Sequence, residues 1–225
     1  MRISAKPYDW PHDDSLRPET TALIIIDVQR DFTDPRGYIA SLGYDTAPAR
    51  ALIPGIAALR EAASAWGALI VHTREGHRPD LADLPPQKAW RSARLGPGIG
   101  APGALRRFLV RGEPGWEMVP ELRRRPGEVV IDKPGYSAFA ATDLALILAV
   151  RGIRHLIICG LTTDVCVHST LRDAVDRGFE CLVAGDLCAA TEEENHRAAL
   201  ATIATEGGIF GAVARAAEIQ LKLAR

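Results

Sequence analysis

Leu23-Ile24-Ile25-Ile26-Asp27 is the stretch that decides the fold. Four branched aliphatic residues in a row, without the polar alternation of a half-exposed strand, read as a strand buried on both faces of a parallel sheet. Asp27 marks its carboxyl end. Next, Pro54 to Ala65 has helical character and leads through Gly67 to a second apolar run, Ala68-Leu69-Ile70-Val71, which ends in polar His72-Thr73-Arg74. Strand, helix and strand make one βαβ unit.

The alternation resumes further on. Strands are expected at Glu128–Ile131, His155–Cys159, Glu180–Val183 and Gly208–Phe210, and helices at Thr142–Arg151, Thr163–Arg177, Thr191–Ala204 and a closing C-terminal segment. This pattern predicts an α/β fold: a doubly wound, Rossmann-like six-stranded parallel sheet with right-handed crossovers and helices on both faces. A chain of 225 residues is of a size for one such domain, so residues 1–225 are read as a single unit. From about 75 to 120 the pattern breaks, because Pro79, Pro85, Pro86, Pro97, Pro102 and Pro114 interrupt any long element. That segment is expected to be an irregular lid.

Ligands in doubly wound sheets bind beyond the carboxyl ends of the strands. Catalytic groups should therefore cluster just after Ile26, Val71, Ile131 and Ile158. Three residues meet this demand. Asp27 closes a strand too apolar to carry an unpaired carboxylate, whose burial costs several kcal/mol. Lys133 follows Val129-Val130-Ile131 and precedes Pro134-Gly135, and Cys166 sits past a Gly/Thr turn in what reads as the first turn of a helix. A helix N-terminus there would favour the thiolate and lower its pKa. Each residue alone also suits a structural role, as an ion pair or a buried thiol, and Cys159 and Cys181 fit the buried-thiol reading better. Three convergent groups point instead to nucleophilic catalysis.

Other features carry less. Gly98-Ile99-Gly100-Ala101-Pro102-Gly103 matches a dinucleotide glycine pattern but follows no strand and puts proline where a helix should begin. His72 and His77 lack the companions of a metal site, and Arg123-Arg124-Arg125 reads as a solvated turn. A net charge of -1 provides no field for nucleic acid or an anionic membrane, so a small molecule is the expected partner. The longest dense apolar run, Leu144 to Val150, is too short to span a membrane, and the N-terminus lacks a signal core, which suggests the cytoplasm. Four cysteines without a Cys-x-x-Cys pair suggest reduced thiols, not a redox centre. A non-catalytic small-ligand-binding domain is the rival reading.

In Leu23 to Phe32, Asp132-Lys133-Pro134 and Gly160 to Cys166, the chain resembles the isochorismatase-like cysteine hydrolases. The resemblance implies an Asp27-Lys133-Cys166 triad, an oxyanion hole from the backbone N–H groups of Thr162 and Cys166, a cis peptide between Leu161 and Thr162, no metal or organic cofactor, and a homotetramer. Cys166 places the likeness in the amidase branch. The stretches His72 to Leu81, Gly112 to Trp116 and Ile131 to Gly135 resemble the biuret hydrolases and their triuret and guanylurea relatives. By that likeness the substrate is a small linear ureido amide, biuret giving urea-1-carboxylate and ammonia, with N-carbamoyl amides or ureidoacrylate as the alternative. Gln29, Phe32 and Glu206 are expected to contact it. Glu206 stands where a glutamine is expected in biuret hydrolases, a change that would suit extra N–H donors or a guanidinium.

Overall fold

Six apolar runs pair into one sheet in the computed structural model, which describes residues 1–224. They are β1 (Thr21–Ile26), β2 (Leu69–Glu75), β3 (Val129–Lys133), β4 (His155–Leu161), β5 (Glu180–Ala189) and β6 (Ala212–Ala214). All are parallel, in the order β3-β2-β1-β4-β5-β6. The chain starts at the centre, winds outward to β3, returns to β4 and winds the other way. The reversal lies between β1 and β4, the switch point beyond whose carboxyl ends ligands bind in sheets of this kind.

Every residue of β1 and β4 is buried, as the unbroken aliphatic runs require. Each fully buried Ile or Leu there contributes about 1.5–3 kcal/mol of hydrophobic stabilisation. Five helices flank the sheet: α1 (Ile53–Trp66), α2 (Leu144–Val150), α3 (His168–Asp176), α4 (Glu193–Ala204) and α5 (Ala216–Leu223). α1 and α5 pack together on one face. The crossovers through α3 and α4 progress in the opposite direction across the sheet, which puts them on the other.

Several boundaries differ from expectation, and the differences matter at the rim. β2 does not stop at Val71 but continues through His72, Thr73 and Arg74 to Glu75, because partners on neighbouring segments satisfy those polar side chains. β3 likewise runs on to include Lys133. The segment expected to be one helix from Thr163 begins as a wide π-turn over Thr163–Val167, and α3 starts only at His168. The last strand lies at Ala212–Ala214 and not at Gly208–Phe210, since Gly207, Gly208 and Gly211 all take positive φ and form a turn.

The Pro-rich segment carries one short helix, Pro86–Ser92, and a two-residue antiparallel pairing of Pro102–Gly103 with Arg106–Arg107. It is tied down at both ends. The Gly76 N–H donates to the Lys133 carbonyl at one end and Gln29 bridges to Met118 at the other, while His77 bridges to Val110 within the segment. The Arg74 guanidinium, paired with Asp132 and Glu117, stacks 3.6 Å from the centre of the Trp116 ring.

Candidate active site

Asp27 ends β1 in the left-handed region, φ 49°, which turns its side chain out over the rim of the sheet. Thr73 on the neighbouring β2 fixes it twice, donating from Oγ1 to Oδ1 at 2.5 Å and accepting from the Asp27 N–H at 3.1 Å. Lys133, the last residue of β3, brings its ammonium to 2.7 Å from Asp27 Oδ2 and donates to the Gly135 carbonyl at 2.9 Å. Its third neighbour is the Cys166 sulfur, at 3.4 Å. Thus three strands and one turn deliver a carboxylate, an ammonium and a thiol to one point.

Cys166 reaches that point because β4 ends unusually. Gly160 takes φ 115°, and a Cβ there would collide with the carbonyl oxygen of Ile26 on β1, so only glycine fits. The Leu161–Thr162 peptide is cis. The π-turn then returns the Val167 and His168 N–H groups to the carbonyls of Thr162 and Thr163. Among the described residues no backbone hydrogen bond from the Thr162 N–H is found outside the helices and strands.

A fourth group stands here that the sequence reading placed at the start of the lid. Glu75, last residue of β2, sets Oε2 3.4 Å from the Cys166 sulfur and 4.0 Å from Lys133 Nζ. Its Oε1 accepts from Lys88 Nζ at 2.6 Å, and Lys88 also donates to the Pro134 carbonyl and faces the Tyr136 ring. The missed signal lies in His72, Thr73, Arg74 and Glu75 themselves: four polar residues directly after an apolar run extend a strand when partners await them.

The electrostatics follow from burial. Asp27 and Lys133 are fully enclosed, and Cys166 is 3% exposed. Desolvation raises the Asp27 pKa, opposed by Lys133 and assisted by the Glu75 charge. Burial also pushes the Cys166 thiol well up; Lys133 opposes this, while Asp27 and Glu75 reinforce it. This corrects the expectation of a lowered thiol pKa: the sulfur stands in a π-turn ahead of α3, between two carboxylates. For Glu75 desolvation acts upward, but Lys133 and Lys88 together hold its pKa below the ordinary value. Lys133, despite burial, stays firmly protonated between Asp27, Cys166 and Glu75. Asp27, Glu75 and Cys166 present ligand atoms within 4.8 Å of one another, a spacing that could hold a metal. The Lys133 ammonium already stands among them as their cation.

The remaining expected contacts divide. Phe32 packs in a buried cluster with Leu109 and Leu161, next to the turn that carries Cys166. Gln29 is fully buried, and both its amide N–H donors are occupied by the carbonyls of Glu75 and Trp116, while its oxygen accepts from the Glu75 N–H at 2.7 Å. It clamps Glu75 and is not placed to bind a ligand. Glu206 is exposed and follows α4, which begins near the rim, where His196 bonds Thr163, and runs back antiparallel to the strands. Twelve helical residues carry the chain about 18 Å, so Glu206 emerges at the opposite edge of the sheet from Cys166. His72 pairs with Glu128 and His77 with Asp83, both away from the sulfur. A cavity of about 700 Å³ between α4, α5 and β6 also lies elsewhere, lined by Lys6, Asp186, His196 and Arg215. Convergent chemistry, not cavity size, marks the site.

The isochorismatase domain model matches residues 21–218 of the chain. The chain belongs to the isochorismatase family. Within that family it is 36% identical over 168 residues to a ureidoacrylate amidohydrolase RutB of Azorhizobium caulinodans, covering 72% of this chain and 73% of that one. A protein of the same name from Methylobacterium radiotolerans is 36% identical over 208 residues, 91% of this chain and 81% of its own. Among solved structures, a cysteine hydrolase from Pseudomonas syringae pv. phaseolicola superposes with a TM-score of 0.78 at 26% identity, covering 100% of this chain and 97% of the other. The six-stranded parallel sheet flanked by helices is thus the isochorismatase-family fold. No helix among the described residues is long and apolar enough to cross a membrane.

Proposed function

We propose that the protein is a cysteine-dependent amidohydrolase that releases ammonia from a small ureido compound through a thioester on Cys166. The observation that carries this reading is the meeting of the Cys166 sulfur, the Lys133 ammonium and the Asp27 carboxylate at the switch-point rim. Asp27, with its raised proton affinity, takes the thiol proton as the sulfur attacks the terminal ureido carbonyl. Lys133 stabilises the negative charge on sulfur, and the backbone N–H groups of Thr162 and Cys166 receive the oxyanion. Asp27 then hands its proton to the departing ammonia. Water, deprotonated by the same carboxylate, cleaves the thioester and restores the thiol.

For the substrate, the charge pairing favours a neutral molecule. Both buried ammonium groups are already matched, Lys133 to Asp27 and Lys88 to Glu75, so the cluster offers no spare buried cation for a substrate carboxylate. Biuret, giving urea-1-carboxylate and ammonia, suits that environment, and triuret is its extended relative. A guanylurea preference based on Glu206 has no support in this chain, since that carboxylate lies at the far edge of the sheet. The second reading is ureidoacrylate, favoured by the 36% identity to proteins of that name. Its carboxylate would need a cation at the mouth, where exposed Arg91 lies close enough to influence the Tyr136 phenol. An ammonia-release panel of biuret, triuret, guanylurea, ureidoacrylate and nicotinamide separates these. Biuret should give the highest kcat/KM; a ureidoacrylate preference weakened by Arg91→Ala selects the second reading, and no release from any ureido compound rejects both.

A further inference from the structure

Asp27, Lys133 and Cys166 account for the chemical steps, yet the sulfur touches a second buried carboxylate that those steps do not use. Glu75 is built into place. Its backbone N–H and carbonyl are both held by the Gln29 side chain, its Oε1 by Lys88, and its Oε2 faces Cys166 and Lys133. A side chain that merely closed the lid helix onto the sheet would need only the Lys88 contact.

We infer that Glu75, anchored by Lys88, is a positioning residue that keeps a fixed negative charge beside the nucleophile, holding Cys166 as a thiol until substrate binds and directing its proton to Asp27. This rests on the proposed role of Cys166 as nucleophile and Asp27 as base. Charge balance supports it. Two carboxylates and two ammonium groups make the dry cluster neutral while the sulfur is protonated, and a thiolate would add a third, unmatched anion. Two carboxylates then compete for one proton. Glu75 is braced by Lys88 and Lys133 together, whereas Asp27 has Lys133 alone and feels Glu75 as a like charge. Their proton affinities are pushed apart in the sense that separates a base from a spectator. The groups that face Glu75 are Lys88 from the Pro86–Ser92 helix, Lys133 from β3, Asp27 from the end of β1, Cys166 from the π-turn, the phenols of Tyr38 and Tyr136, and His77 two residues along.

The test is the pH dependence of Cys166 alkylation by iodoacetamide, read by peptide mass, beside the pH profile of kcat/KM. In the unaltered protein the alkylation curve should rise only above the ordinary thiol range; a fully reactive thiolate at neutral pH overturns the inference without any variant. Glu75→Gln removes the charge but keeps the shape and an acceptor for Lys88. It should move the alkylation curve to lower pH by about 1–3 units and move the acid limb of kcat/KM the same way, because Asp27 loses its like-charged neighbour. The weaker base should slow the reaction by at most about tenfold for each pH unit that the acid limb moves. Glu75→Asp keeps the charge and should retain the original curves even if its stability falls. If Glu75→Gln leaves both curves unmoved, or Glu75→Asp displaces them as far, the inference fails and the amidohydrolase reading stands. Ammonia release that persists without Cys166 would instead overturn that reading.

Discussion

The cluster is cohesive only as a set, and single substitutions within it should therefore differ sharply. Lys133→Met leaves Asp27 and Glu75 buried with one cation, Lys88, which pairs with Glu75 alone. Breaking a buried pair by removing one partner costs about 3–5 kcal/mol, so urea unfolding of this variant should show a loss of that order. Asp27→Asn leaves Lys133 its Glu75 neighbour and should cost less stability, but about 10²–10⁴-fold in kcat/KM as the proposed general base is removed. Combined with Cys166→Ser it should cost little more than either alone, because the two act in one step. Stability measurements that rank Asp27→Asn below Lys133→Met would contradict this ordering. Asp27, Lys133 and Cys166 were legible in the sequence because each follows an apolar run at a strand's carboxyl end. Glu75 was not, because polarity after Val71 reads as the end of a strand until the partners across the sheet are known. The placements of Gln29, clamped on Glu75, and of Glu206, at the far end of α4, were hidden for a related reason: spacing to a motif does not say which way a side chain points, or at which end of the sheet a helix comes out.

Among the elements, the lid segment depends on Asp31, which sits two residues beyond the clamp Gln29. Its buried carboxylate accepts the Leu109 N–H at 2.8 Å, and its own N–H reaches the Gly115 carbonyl. Desolvation lifts its pKa to about 6, against backbone bonds that pull it down. The fold thus binds this proton more tightly than the unfolded chain does, and stability from this group falls as pH rises from the ordinary carboxylate range through about 6. Asp31→Asn, which keeps an acceptor for Leu109, should flatten that slope in urea unfolding followed across the window. An unchanged slope would show that Asp31 is not its source. The pairing of the lid with β1 and β2 could not be read beforehand, since Pro and Gly mark where regular structure stops and say nothing of what the segment packs on. The π-turn was equally hidden, because Thr163–Val167 has the composition of an ordinary helix start.

For the molecule as a whole, the order β3-β2-β1-β4-β5-β6 does the work of assembly: it puts the two most buried strands side by side with their carboxyl ends at the switch point. That architecture was the most legible feature, because unbroken runs such as Leu23–Ile26 have few other uses in a chain of this composition. Ile24, flanked by Val71 and Ile158, is its centre. Ile24→Ala should destabilise by about 2–5 kcal/mol with an unchanged denaturant slope, because the cavity cannot collapse between paired strands. A loss under about 1 kcal/mol would mean that the centre repacks far more freely than close packing allows.

All of this converges on one sulfur. Ammonia release from the best ureido substrate, measured for the unaltered protein and for Cys166→Ser with its fold verified by circular dichroism, asks the question directly. Turnover should fall to background while the spectrum stays the same. A folded Cys166→Ser protein that still releases ammonia at a substantial rate would mean the bond is broken by some other group.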